Sequence, residues 1–148
     1  MSLLERLRDE IKSAMVAKDA ERLATLRLLK SAIGYVQIER RMDNLSDADL
    51  VAIIQKEVKK RREASEQYEQ GGRPELASRE RREITVLESF LPQPLSSEAL
   101  EQLIRATIQE IGATSKKDMG AVIKSVQAKA AGRADGRTIS GVVSKLLP

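Results

Sequence analysis

The residues in this chain best suited to chemistry are cations. Lys116, Lys117, Lys124, Arg133, Arg137 and Lys145 fall close together in the stretch GATSKKDMGAVIKSVQAKAAGRADGRTISGVVSKLLP, which runs from Gly112 to Pro148. Lysines and arginines on the outside of short helices fit contact with phosphate oxygens, because such contacts need only charge and reach. The GRADG turn, Gly132 to Gly136, has two readings. In the structural one, Gly132 takes a positive φ and ends a helix, Asp135 caps the next helix, and Gly136 permits its tight start. In the functional one, a phosphate lies near the open N–H groups of that next helix, with Arg133 and Arg137 beside it. A side-chain cap from Asp135 would compete for the same N–H groups. The turn is neither a phosphate-cradling P-loop nor a dinucleotide fingerprint, since the spacing, the phosphate lysine and the preceding strand are missing.

Other chemistries find less to work with. Histidine and cysteine are absent, so this chain alone can build no zinc site, no thiolate nucleophile and no histidine-based triad. Ser13, Ser31 and Ser125 lie in helical pattern with no Gly-x-Ser-x-Gly elbow. Glu57–Arg61, Lys59–Glu63 and Arg62–Glu66 read as surface pairs at four-residue spacing rather than acid–base machinery. No catalytic residue, cofactor contact or metal ligand is assigned.

The elements that must position the cations read as helices throughout. Leu3, Leu4, Leu7, Ile11 and Met15 make one stripe, from about Leu3 to Ala17. Asp19 caps a second helix to about Arg40, with Leu23, Leu26, Leu29, Ile33 and Val36 inward and Leu28, Ala32 and Tyr35 widening the stripe. Gly34 inside it predicts a close helix crossing, with a sharp bend as the alternative. Ser46 and Asp49 form a capping box for a third helix ending at Gly71-Gly72, and Pro74 opens a fourth. The polar ends of these two predict a projecting hairpin, with Lys59, Lys60, Arg61 and Arg62 on one arm and Arg79, Arg81 and Arg82 on the other. Glu66, Glu69, Glu75, Glu80 and Glu83 offset much of this charge, so the hairpin reads as a solvated face with spaced ion pairs first and a binding arm second.

Pro92 and Pro94 then make a stiff, extended link. Ser96 caps a fifth helix closed by Gly112. Ser115 and Asp118 form a capping box for a sixth, with Lys116 and Lys117 in its first turn, Met119, Val122, Ile123 and Val126 inward, and Gly120 permitting close packing. Asp135 caps a seventh, with Ile139, Val142, Val143, Leu146 and Leu147 inward. The expected fold is all-α: an N-terminal four-helix unit, residues 1–91, with a helical hairpin; a proline-containing linker, 92–95; and a small C-terminal three-helix unit, 96–148.

Composition sets the outer bounds. The chain has 148 residues and is 41% hydrophobic, with a single Phe and no Trp. Such a core must be aliphatic, which suits packed helices. The net charge of +4 comes from 26 basic and 22 acidic residues. Its excess sits in residues 92–148, where eight Lys/Arg face five Asp/Glu. No apolar run approaches the ~20 residues a membrane span needs, and the charged N-terminus does not read as a signal peptide. With cysteine absent, a cytoplasmic setting is expected.

KDMG at Lys117 to Gly120, GRADG, and the Leu-Pro-Gln junction at Leu91 to Gln93 also carry a resemblance that covers essentially the whole chain. It resembles the YqeY family, which is related to the C-terminal tail of the B subunit of the bacterial tRNA-dependent amidotransferase. That likeness implies a tRNA-recognising module with Lys116, Lys117, Lys124, Arg133, Arg137 and Lys145 on an RNA-facing side. The tail commonly has Asn-Pro where this chain has Asp135-Gly136. The family usually has bulkier apolar residues at Gln127-Ala128. Three functions are expected, in this order. The first is a non-catalytic tRNA-binding or tRNA-metabolism accessory protein. The second is a protein-interaction adaptor working through the apolar edge of the N-terminal helices or the projecting hairpin, with a protein of the translation or aminoacyl-tRNA machinery as its partner. The third, implied by kinship, is carbon–nitrogen ligase activity with glutamine as nitrogen donor, acting only with partner subunits.

Overall fold

Local capping signals start most of the helices. Ser2 and Glu5 close a capping box at the head of α1, Leu3–Val16. Lys18 at φ 56° breaks the chain, and Asp19 accepts from the Arg22 N–H at 3.1 Å to open α2, Ala20–Arg40. Ser46 and Asp49 form the capping box of α3, Asp47–Gln70. Pro74 occupies the first turn of α4, Pro74–Glu88, where its missing donor is harmless. Ser96 caps α5, Ser97–Ile111, through the Ala99 N–H at 3.0 Å. Next come α6, Met119–Ala130, and α7, Gly136–Leu146. This computed structural model describes residues 1–148; it is all-helical, with no strand. No helix is long and apolar enough to cross a membrane.

The chain separates into two compact units, Met1–Leu91 and Pro92–Pro148. In the first, Leu7, Leu26, Leu29, Ile33, Leu50, Ile54, Leu87 and Phe90 build the core. Phe90 lies under the Arg6 guanidinium, 4.8 Å from its ring centre. The stripe of α2 is narrower than its sequence suggests. Leu28 and Tyr35 point outward, 51% and 76% exposed, as does Met15 on α1. Gly34 departs from expectation too: a Cβ built there meets nothing within 4 Å, so no helix crosses closely at that point.

The α3–α4 hairpin carries the expected ion pairs, and the pairs at Arg61 are more enclosed than a solvated face requires. Ser65 and Ala77 are buried where the helices meet. Arg61 bonds Glu83 at 3.0 Å and reaches Glu57 at 3.9 Å; these three side chains are only 12–13% exposed. Arg81 pairs with Glu69 across the hairpin at 2.7 Å. Arg61 is therefore a packing residue, and the expected basic arm loses its centre. Burial, and then the neighbouring Glu83 carboxylate, hold the Glu80 carboxyl above its ordinary value of 4.5.

Candidate nucleic-acid interface

The second unit packs α5, α6 and α7 around Leu100, Ile104, Val122, Val126, Ile139 and Val143, all buried aliphatics. This small core leaves the outer surfaces of α6 and α7 to polar side chains. The segment entering α6 differs from the sequence reading. Lys116–Asp118 forms a 3₁₀ turn ahead of the helix, so Lys116 and Lys117 precede α6 instead of lying in its first turn. Asp118 explains the tightening. Its carboxylate accepts from the Thr114 and Ser115 N–H groups at 3.0 and 3.3 Å, and its own N–H bonds Ser115 O at 3.0 Å, an i→i+3 contact.

The GRADG turn is also wound differently. Ala131, at φ 49°, closes α6, and Gly132 continues left-handed at φ 86°. Helix closure thus comes one residue earlier than the glycine suggests. Asp135 caps α7 by accepting from the Thr138 N–H at 2.7 Å. A Cβ at Gly136 would stand 3.2 Å from Gln127 Nε2. That atom is the free end of an exposed side chain, so it is Gln127, and not the α6 backbone, that a side chain here would displace. At Gly120 a Cβ would meet nothing within 4 Å, so the close packing expected there is absent.

The six candidate cations divide. Arg133 is engaged within its own unit: its Nε donates to Gln93 O at 2.9 Å, while the Leu95 N–H donates to Arg133 O at 2.8 Å. Those two bonds clasp the proline segment to the turn and give Arg133 a structural role there. Lys116, Lys117, Lys124 and Lys145 are exposed and make no salt bridge. Arg137 is exposed in the first turn of α7. Lys145 lies eight residues further, about 80° around the helix from Arg137 by ideal geometry.

The acids of this unit are spent elsewhere. Glu101 pairs with Arg105 at 2.8 Å along α5, and Glu110 pairs with Lys129. Asp118 and Asp135 serve as caps. Glu98 lies in the first turn of α5, where the helix dipole favours it. The positive excess is thus concentrated on the 3₁₀ turn, α6 and α7. Such a surface can neutralise phosphates. It has no aromatic ring on which to stack a base, since residues 92–148 contain no Phe, Tyr or Trp.

Relatives agree with the sequence resemblance and correct one expectation. The chain is 33% identical over 94 residues to altered inheritance of mitochondria protein 41 of Lachancea thermotolerans, a match covering 63% of this chain and 50% of the relative. The same-named protein of Eremothecium gossypii is 30% identical over 103 residues, 70% of this chain and 56% of its own. That of Pyrenophora tritici-repentis is 24% identical over 149 residues, 98% of this chain and 81% of its own. The chain spans about half the length of the first two. All three are named as mitochondrial, which overturns the cytoplasmic expectation. Absent cysteine has no power to choose between compartments that both keep thiols reduced. A family model described as Yqey-like protein matches residues 4–147, and with nearly the whole length covered, the chain belongs to the YqeY family.

Proposed function

We propose that this protein is a non-catalytic, tRNA-binding accessory protein whose RNA contacts lie on the 3₁₀ turn, α6 and α7 of its second unit. One observation supports this above the others. Lys116, Lys117, Lys124 and Lys145 are exposed without salt bridges, while four of the five acids of their unit are held in pairs or caps. Recognition of this kind reads the shape of a folded RNA through phosphate and 2′-hydroxyl contacts, with no need for base stacking.

The test is a titration of the purified chain against folded tRNA across a salt series, beside a variant carrying Lys116→Ala, Lys117→Ala and Lys124→Ala. Each lysine that contacts a phosphate contributes about one unit to the log–log salt slope. The triple variant should therefore lose about three units of slope, with unchanged helix content. Arg133→Ala belongs in a separate tube, because it also releases Gln93. Absence of binding at low salt overturns the reading. The adaptor and partner-dependent ligase readings then come forward.

A further inference from the structure

Gly34 is the place where the sequence and the structure disagree most usefully. Glycine inside a helix is unfavourable, and the close crossing that would justify it is absent, since nothing lies within 4 Å of a built Cβ. What Gly34 does instead is line a cleft of about 150 Å³ between α1 and α2. The floor is Leu4, Leu7, Ile11 and Ile33, and the exposed Arg8 and Lys30 stand beside it. Neither cation makes a salt bridge, and no lining residue is acidic. Met15, one turn beyond Ile11 on the same stripe, is half exposed and carries the apolar strip on toward the α1–α2 turn.

Size and charge together select the occupant. Pockets that enclose whole small molecules run to roughly 300–1,000 Å³, so this cleft suits one aliphatic side chain. An RNA offers no aliphatic group to an apolar floor, and no aromatic ring lines the cleft for a base. Two unpaired cations call for carboxylates on either side of the inserted group. We infer that the α1–α2 cleft is a docking site for an acidic amphipathic segment of a partner protein, which inserts one leucine-like anchor over Gly34 and sets its carboxylates against Arg8 and Lys30. The mode is that of a helix laid in a groove. It is independent of the RNA reading, since it lies in the other unit.

The experiment uses the full chain, labelled for backbone amide NMR, and two helical probe peptides. One alternates pairs of leucine with pairs of glutamate; its twin carries lysine for each glutamate. The glutamate peptide should shift the amides of Arg8, Ile11, Lys30 and Gly34, and the lysine twin should leave them in place. Gly34→Leu fills the cleft with a good helix former and should weaken binding about tenfold. The Arg8→Glu, Lys30→Glu double variant should reverse the preference between the twins. No shifts, equal response to both peptides, or affinity untouched by Gly34→Leu would each overturn the proposal. So would a stronger response of the same amides to folded tRNA or to phosphatidylglycerol vesicles, in favour of those ligands.

Discussion

Arg61, Glu80 and Arg133 show how little a charged residue's type says about its job. Arg61 stands in a run of four cations, yet Glu83 and Glu57 enclose it. Removing one member of a buried pair strands the others, so Arg61→Ala should lower unfolding stability by about 3 kcal/mol in urea denaturation. Glu80 sits beside this cluster with its carboxyl pushed up, first by burial and then by Glu83. A raised folded-state value means that Glu80 favours the fold most when protonated, below its ordinary 4.5, and that this contribution is lost as pH climbs through the folded value. Glu80→Gln should therefore raise the melting temperature at pH 7 and make little difference at pH 4. Arg133→Ala removes one hydrogen bond to Gln93. It should cost about 1 kcal/mol and speed hydrogen exchange at the Leu95 amide, which binds the same turn.

At the scale of elements, starts were legible in the sequence and surroundings were not. Ser46, Ser96, Ser115 and Asp135 each satisfy N–H groups two or three residues away, so a short window of sequence contains the whole interaction. The stop at Ala131 was hidden, because glycine is the usual residue for the first left-handed position, yet Ala131 takes it and Gly132 follows in the same region. Spacing alone lets Leu28 and Tyr35 widen the α2 stripe; which edge of a stripe is covered depends on where the neighbouring helices lie. Among the candidate site residues, exposure of the lysines was readable from their type, whereas the Arg133–Gln93 bond joins positions 40 residues apart. Gly34 tests this scale directly. Alanine there meets no clash and should stabilise α2 by about 1 kcal/mol, seen as a higher melting temperature. A loss of stability would mean that the space beside Gly34 is filled.

For the whole molecule, two separate apolar cores carry different surfaces. In the first unit Arg22–Glu10, Arg40–Asp49, Arg81–Glu69 and Arg82–Glu21 match much of the charge. In the second, the basic excess remains on α6 and α7. Charge reversal in the first unit, as in Lys60→Glu, should thus change the salt slope of RNA binding by less than about half a unit. The all-helical fold followed from periodicity and caps, while the division of chemistry between the units required knowing which acids were already occupied. The absence of any aromatic ring from residues 92–148 has one more consequence. The second unit is silent in the near ultraviolet, and every tyrosine signal comes from Tyr35 or Tyr68 in the first. A fluorescence titration of the natural chain therefore watches only the first unit. A single tryptophan at the partly exposed Ile111 would give the second a voice of its own, and because the chain has no other tryptophan, excitation beyond the tyrosine band reads it alone.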